Sequence, residues 1–216
     1  MSMLNNFFQS LFPDRCVGCQ IRGTLLCEDC RKKIAPASNP MHGWITSVFA
    51  YHDFRVKRLI WMLKYKNTRQ VASIFAPALA SSLAEFLGEE ALFHGSRKIV
   101  LVPIPLSKKR MAKRGYNQAE LLAKKIAEIS ANETILFERN LLRKIIETKP
   151  QADIKNRTKR LENLGDCFVV DENRVSNREV VILIDDVTTT GATLTAARKV
   201  LRAAGFRKIY ALTVAH

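Results

Sequence analysis

Residues Val180 to Thr195 (VVILIDDVTTTGATLT) place the strongest constraint on the fold of this chain. Five apolar residues, Val180 to Ile184, follow one another without interruption, and each is β-branched or leucine. Such a run, bounded by polar turn residues, indicates a strand buried on both faces of a parallel sheet. An apolar pattern with helical spacing begins at Leu194. The stretch therefore predicts a strand, a loop and a helix of an α/β fold.

The residues between this strand and this helix indicate a ligand site. Ligands of open α/β sheets bind at the carboxyl ends of strands, where the next helix begins. A loop of small hydroxyl residues and glycine leaves backbone N–H groups available for an anion, and the helix adds its positive end. We expect a phosphate at the loop, whose residues are Thr188, Thr189, Thr190, Gly191, Ala192 and Thr193.

Asp185 and Asp186 stand directly before this loop and would reach vicinal hydroxyls of a sugar. Together with the loop they predict a site for a phosphorylated ribose. The alternative is a tight β–α turn with capping threonines and two exposed acids. Adjacent carboxylates repel each other, and helix capping does not require the pair.

Val181 to Thr193 (VILIDDVTTTGAT) resembles the ribose-phosphate-binding signature of type I phosphoribosyltransferases. That signature consists of apolar residues, two acids, two apolar or small residues, and small hydroxyl residues around glycine. The stretch is not a Walker A loop, because no Gly-Lys-Ser/Thr sequence follows the glycine.

Four cysteines near the N-terminus form two CxxC pairs, Cys16 with Cys19 and Cys27 with Cys30. Four thiolates in tetrahedral geometry suit Zn²⁺, and a closed set of four implies a structural role. Such a site folds a segment that is too short for its own core, and Gly18 is expected to ease the first turn. Two disulfides or an iron–sulfur cluster are the alternatives, but neither flank has the strand–helix context of a redox CxxC motif.

The charge of the chain favours an anionic partner. Thirty-five Lys and Arg residues face twenty Asp and Glu residues, which gives a formal net charge of +15. An excess of this size favours phosphorylated metabolites or nucleic acid, although a solvated basic surface is the alternative. No signal peptide and no apolar run approaching 18 residues is evident, so we expect a cytoplasmic protein without a membrane span.

A second strand end carries a dense group of basic residues. Ile99 to Val102 predicts a strand, and a helix is expected from Gln118 with Asn117 as its N-cap. In a parallel sheet the basic loop between them would lie at the same edge as the acidic pair and would suit a pyrophosphate. Solvated charges or contacts to a nucleic-acid backbone are the alternatives. The basic residues of this loop are Lys108, Lys109, Arg110, Lys113 and Arg114.

Two helices are predicted before this core, Arg55 to Tyr65 and Val71 to Leu87, the second broken at Gly88. Lys64 and Lys66 are candidate anion contacts, but solvated lysines are the preferred interpretation. The polar, basic stretch from Thr148 to Gly165 is expected to form a lid. The sequence shows no obvious run of exposed aromatic residues for base stacking.

Over nearly its whole length the chain is identified as a member of the ComF family, which includes proteins named GntX. The resemblance implies a phosphoribosyltransferase-like parallel sheet flanked by helices, with a small N-terminal zinc element. It also implies a part in natural competence, the import of single-stranded DNA. The matching motifs are the four-Cys segment, Arg58 to Tyr65, Val102 to Leu106, Arg114 to Gln118, Thr148, Gln151, Arg160 to Asn163 and the acidic signature.

The resemblance also assigns roles to residues. Asp185 and Asp186 would contact the ribose hydroxyls of 5-phosphoribosyl 1-pyrophosphate (PRPP), and Thr188 to Thr193 its 5-phosphate. Pro103 to Lys109 would replace the pyrophosphate loop, and Lys149 to Arg160 the flexible catalytic loop. The first of these loops lacks the small Gly-containing form common in nucleobase-salvage enzymes. The candidate catalytic residues are Lys108, Lys109, Arg110 and Arg160.

These observations predict a zinc element over residues 1–37, a covering region over 38–97 and an α/β core over 98–216. One hypothesis is an enzyme that transfers a phosphoribosyl group from PRPP, with Mg²⁺, to an unidentified acceptor. The other is a non-catalytic module that binds single-stranded DNA for the import machinery, with import proteins as partners. A structural adaptor nucleated by zinc would leave the acidic and hydroxyl loop unexplained.

Overall fold

The protein is described by a computed structural model that covers residues 14–37, 43–94, 98–130, 133–145, 167–171, 173–174 and 179–216, with side chains from 89 to 94 left out. The predicted lid, including Arg160, lies outside the described residues. The helices are α1 (Glu28–Lys32), α2 (Phe54–Tyr65), α3 (Val71–His94), α4 (Lys108–Arg114), α5 (Gln118–Ser130) and α6 (Ala192–Ala203). The strands are β1 (Ile45–Phe49), β2 (Ile99–Pro103), β3 (Ile135–Phe137), β4 (Leu142–Lys144), β5 (Phe168–Val170), β6 (Val180–Val187) and β7 (Ile209–Ala215).

A central sheet of five parallel strands organises the chain, in the order β1-β7-β6-β2-β3. The strand with the acidic pair, β6, lies in the middle. Its neighbour β2 is in register with it, so that Pro103 pairs with Ile184. Because parallel strands end at the same edge, the residues that follow β2 and β6 lie side by side. Strands β4 and β5 form a separate antiparallel pair.

Alternate residues of β6 enter two hydrophobic cores on opposite faces of the sheet. Ile182 and Ile184 pack with the buried faces of α2, α3 and α5. Val181 and Leu183 pack with α6 and with the β4–β5 pair. The predictions of a fully buried strand and of a mainly parallel sheet flanked by helices are confirmed. The division at residues 37 and 97 into three regions stays a prediction.

Helix α3 differs from the sequence expectation in two ways. It continues through Gly88 to His94, because an isolated glycine lowers helix stability without ending a helix. Its segment Val71–Gly88 is also long and apolar enough, by length and composition, to cross a membrane. One face of this segment, with Phe75 and Leu79, is buried in the core beside α5 and the sheet. About a third of the segment, 33%, is buried inside the protein, so part of its apolar composition is explained by packing in the core.

The basic segment after β2 is a helix, where the sequence predicted a loop. Ser107 caps α4 by accepting a hydrogen bond from the backbone N–H of Arg110 at 3.4 Å. Gly115 ends it in the left-handed conformation, with φ at +75°. These two residues delimit a segment of good helix formers, which together predict a short helix. The prediction of a loop rested on the basic charge of the segment and did not take these helix signals into account. Asn117 caps α5 as predicted, accepting from the N–H of Ala119 at 3.1 Å.

Candidate functional site

The corner between β6 and α6 is tighter than the sequence suggested. Strand β6 continues to Val187, and the N–H of Thr188 donates to Ala215 O at 3.0 Å. Helix α6 begins at Ala192, immediately after Gly191, whose φ of +68° is a left-handed conformation that favours glycine. The corner thus places the N-terminus of an α-helix, Ala192, six residues after Asp186.

The two acids have different environments. Asp185 is half-buried, and its Oδ1 accepts the backbone N–H of Asp186 at 2.8 Å. Asp186 is buried, and its Oδ1 lies 2.9 Å from the Nζ of Lys64 at the end of α2. Burial and then the charge of Asp186 raise the pKa of Asp185 to about 7, although Lys64 opposes this shift. One acid of the pair is therefore matched by a cation, and the other is poised to change its charge near neutral pH.

A cavity of about 290 Å³ opens at this edge of the sheet, beside the acidic pair. Strand β6, helices α2, α4, α5 and α6 and strand β4 all contribute to its walls. It combines anionic, cationic and hydroxyl groups, which is a suitable surface for a phosphorylated sugar. Its charged and hydroxyl-bearing side chains are Tyr51, Lys64, Arg110, Arg114, Lys144, Asp185, Asp186, Thr189 and Thr193.

The structure brings together some of the predicted site residues. Five of them line the cavity: Asp185, Asp186, Arg110, Thr189 and Thr193. Lys108 and Lys109 lie exposed on α4. The others form the corner itself, where Thr188 is buried, Thr190 Oγ1 accepts from the N–H of Ala192 at 3.4 Å, and Gly191 and Ala192 are buried.

Three cavity residues were misjudged or missed by sequence reasoning. The solvated-lysine interpretation is wrong for Lys64, which pairs with Asp186, whereas Lys66 Nζ lies 5.2 Å from the ring centroid of Trp61. Tyr51 and Lys144 were not singled out at all. They reach the cavity from segments far from the signature in sequence, so only the tertiary fold reveals them. For Lys64, the available signal was its position four residues after Ile60, which places it one helical turn along α2 from a buried residue.

The four N-terminal cysteines form a second site. They are free thiols, and their Sγ atoms all lie within 4.8 Å of one another. Cys27 Sγ is 3.7 Å from Cys16 Sγ and 3.6 Å from Cys19 Sγ. A tetrahedral zinc ion with Zn–S bonds of about 2.3 Å requires sulfur separations of about 3.8 Å. The cluster, completed by Cys30, is compatible with zinc binding.

Local structure gives the thiols of this cluster different environments. The backbone N–H of Cys27 points to Cys16 Sγ at 3.4 Å. Although burial opposes it, backbone hydrogen bonds from Cys27, Cys19 and Gly18 lower the pKa of Cys16 to about 6, which favours the thiolate, whereas burial raises the pKa of Cys30 to about 12. A Cβ atom at Gly18 would lie 2.5 Å from Cys30 Sγ. Gly18 is thus required by its close approach to a thiol, while its expected role in easing the turn stays a prediction.

Hydrogen bonds to an ion pair at the start of α2, Asp53 with Arg55, join the four-Cys segment to the rest of the protein. Asp53 Oδ2 lies 2.7 Å from Arg55 Nη2 and accepts the N–H of Ala35 at 3.2 Å, while Arg55 also donates to Lys33 O. Hydrogen bonds from Arg55 lower the pKa of Asp53 to about 2. Three apolar side chains of the segment enter the same core as α2 and α3, namely Val17, Leu25 and Ile34.

No protein-family model matches the chain. Among curated proteins, competence protein ComFC of Bacillus subtilis is 32% identical over 155 residues, which cover 72% of this chain and 56% of that protein. Competence protein F of Haemophilus influenzae is 35% identical over 111 residues, 50% of this chain and 46% of that protein. Competence protein ComFC of Streptococcus pneumoniae is 27% identical over 203 residues, 94% of this chain and 80% of that protein. The alignments thus span about half the length of the first two relatives.

Proposed function

The chain belongs to the ComF family of competence proteins, and we propose that it acts in DNA uptake during natural transformation, in the cytoplasm. We further propose that it does so with a phosphoribosyl ligand, PRPP or a relative of it, bound at the edge of the sheet. The observation that carries this proposal is the meeting of two carboxylates, several cations and a helix N-terminus in one cavity of about 290 Å³.

Each part of such a ligand has a chemical counterpart in the cavity. Asp185 and Asp186 supply acceptors for the two ribose hydroxyls. Thr189 and Thr193 stand at the start of α6, where a helix N-terminus favours a phosphate. Cationic side chains line the other walls and suit a pyrophosphate: Lys64, Arg110, Arg114 and Lys144.

A type I phosphoribosyltransferase fold and turnover form the finer part of the proposal. The bond from ribose C1 to pyrophosphate would break, and a bond from C1 to an acceptor nucleophile would form. Positive charge would develop at C1, and nearby cations would stabilise the leaving pyrophosphate. The acids would position the sugar. Residues proposed to act on the leaving group are Lys108, Lys109, Arg110 and Arg160.

Magnesium fits this proposal through the chemistry of the donors. Carboxylate oxygens, as in Asp185 and Asp186, are ligands that Mg²⁺ prefers, and substrate phosphates commonly complete its coordination. When bound with PRPP, Mg²⁺ would neutralise part of the pyrophosphate charge. Zinc at the four-Cys cluster would instead hold the N-terminal segment folded.

Release of pyrophosphate distinguishes an enzyme from a binding protein. The purified chain is incubated with PRPP, Mg²⁺ and each member of a panel of nucleobases, and pyrophosphate is measured by a coupled assay. Turnover predicts release that depends on one acceptor and is lost in Asp185→Asn/Asp186→Asn. Binding of PRPP without release from any acceptor would refute the transferase part and leave the binding part standing.

A second candidate function is a non-catalytic accessory that binds single-stranded DNA and import proteins. The formal net charge of +15 favours it, because neutralised phosphates release counterions. The exposed aromatic rings of α2, Phe54, Trp61 and Tyr65, favour it further. The two functions are compatible, since one concerns the cavity and the other an exposed helix.

A further inference from the structure

Helix α2 has one face in the core and an opposite face of a different kind. Its buried residues are Val56, Leu59, Ile60 and Leu63. At 3.6 residues per turn, positions 54, 58, 61 and 65 lie together on the other side. We call this side the aromatic face and define it as Phe54, Lys57, Arg58, Trp61 and Tyr65.

The aromatic face is unusually exposed for such large rings. Phe54 is 58% exposed, Trp61 48% and Tyr65 56%. The rings of Trp61 and Tyr65 are neighbours, with centroids 6.4 Å apart and planes at 47°. The sequence shows no obvious run of exposed aromatic residues, because these rings are spaced by one or two helical turns and do not follow one another in the chain. Burial of the opposite side of α2, with Leu59, leaves the rings in solvent.

Each of these rings is accompanied by a cation. The guanidinium of Arg55 lies 5.1 Å from the centroid of Phe54, and that of Arg114 lies 5.5 Å from the centroid of Tyr65. The ammonium of Lys66 lies 5.2 Å from the centroid of Trp61. Exposed rings next to cations combine the two groups that hold single strands, a surface on which bases stack and charges that follow phosphates.

We propose that the aromatic face of α2 binds single-stranded nucleic acid, with bases stacked on Trp61 and Tyr65 and the cations beside these two rings on the phosphates. Arg55, beside Phe54, is not one of these phosphate contacts, because it is paired with Asp53. Phe54 and Tyr65 are separated by about 16 Å along the helix axis, so the face accommodates a short run of nucleotides. A duplex keeps its bases stacked inside and offers only its phosphates. A protein partner that docked through apolar contacts would not need a cation beside every ring.

This inference rests on the proposed role in handling DNA and is independent of the ligand of the cavity. Arg114 belongs to both places, since it lines the cavity and lies beside Tyr65. The aromatic face thus ends at the cavity, and a strand bound along it would approach the edge of the sheet. Substitutions at Trp61 and Tyr65 change the aromatic face and leave the cavity lining intact, because neither residue lines the cavity. They therefore test nucleic-acid binding apart from PRPP binding.

The test measures binding of a fluorescein-labelled 20-nucleotide oligo(dT) by anisotropy, with the zinc-loaded full chain. Trp61→Ala/Tyr65→Ala is expected to weaken binding by about fivefold or more. Ile129→Ala on α5 is the matched control, because Ile129 is also 48% exposed, and it should bind as the wild type does. Oligo(rU) of the same length and a 20-base-pair duplex are parallel arms. Comparison of oligo(rU) with oligo(dT) shows whether the face prefers RNA or DNA. The duplex should bind to Trp61→Ala/Tyr65→Ala with the same affinity as to the wild type.

Two further readouts separate stacking from charge and from misfolding. Oligo(dT) should quench the fluorescence of Trp61, and Trp61→Phe should lose that quenching while it keeps most of the affinity. The dependence of affinity on salt should be unchanged in Trp61→Ala/Tyr65→Ala but weaker in Lys66→Ala, which loses a phosphate contact. PRPP binding should survive in all of these variants.

Several results would overturn the inference. One is an affinity for oligo(dT) that is equal in the double variant, the Ile129→Ala control and the wild type. Another is absence of binding and quenching at 50 mM salt, a low concentration at which charge contacts are strong. An equal loss for duplex and single strand, or concentration-dependent dimerisation that the double variant abolishes, would identify a different partner.

Loss of PRPP binding in Asp185→Asn/Asp186→Asn with oligo(dT) binding retained would support the inference, because it would show that the two sites act separately.

Discussion

The ammonium of Lys64 lies 2.9 Å from Oδ1 of Asp186, so the end of helix α2 is tied to the carboxyl end of the central strand. Their side chains are only 20% and 9% exposed, respectively. A pair so shielded from water differs from an ordinary surface ion pair, since loss of one partner leaves a poorly solvated charge. It also places a cation at the cavity from a helix that precedes the α/β core in sequence.

Replacing Lys64 should therefore destabilise the protein without its ligand. Lys64→Met is expected to lower the free energy of unfolding by about 2 kcal/mol or more. The matched control is Lys125→Met, which breaks the exposed pair with Glu128 on α5 and should cost about 0.5 kcal/mol or less. Urea denaturation followed by circular dichroism measures both values. Equal losses of unfolding free energy in the two variants would show that the Lys64–Asp186 pair contributes no more to stability than an exposed ion pair.

The acidic pair should make stability depend on pH. Because the pKa of Asp185 is raised to about 7, the folded chain holds this proton more tightly than the unfolded chain. Its contribution is present at low pH and is lost as pH rises from about 4 through about 7. Asp185→Asn should remove this loss, so that its stability advantage over the wild type is larger at pH 8 than at pH 5.5.

Urea denaturation of zinc-loaded protein at the two pH values checks this prediction. Glu133→Gln, which neutralises an exposed acid before β3, is the control. Its stability relative to the wild type should not increase between pH 5.5 and pH 8. An advantage of Asp185→Asn that is the same at both pH values would contradict the raised pKa.

Gly18 should be essential to the four-Cys cluster. Gly18→Ala would place a Cβ atom 2.5 Å from Cys30 Sγ, so the thiol must move from its position. We expect less bound zinc per chain and a lower midpoint of thermal unfolding. Gly43→Ala is the matched control, because nothing lies within 4 Å of its added Cβ atom. Zinc is measured by mass spectrometry of the metal, and a Gly18→Ala protein with full zinc and unchanged melting would refute the role assigned to Gly18.

The sequence predicted the central features of the fold for clear physical reasons. The unbroken apolar run of β6 required burial on both faces, and the buried residues of α2 followed helical spacing, as the structure confirms. The spacing of the cysteines likewise predicted a compact cluster. These signals are local, and each depends on residues that are close together in the chain.

The rest of the site depends on tertiary contacts that no local pattern records. The sequence around Lys64 indicated a solvated lysine, whereas the packing of α2 places its ammonium beside Asp186. The many charged residues of α4 indicated a loop, although Ser107 and Gly115 are residues typical of helix ends. Trp61 and Tyr65 could have been found by applying to the outer side of α2 the same spacing that identified its buried side.

Titration calorimetry with PRPP in the presence of Mg²⁺ tests whether the acidic pair holds a phosphoribosyl ligand. The wild type should bind PRPP saturably with one site per chain, and Asp185→Asn/Asp186→Asn should lose that binding. The Glu133→Gln control should bind as the wild type does. Binding of equal affinity in the double variant, or none in the wild type, would contradict a phosphoribosyl site at the acidic pair.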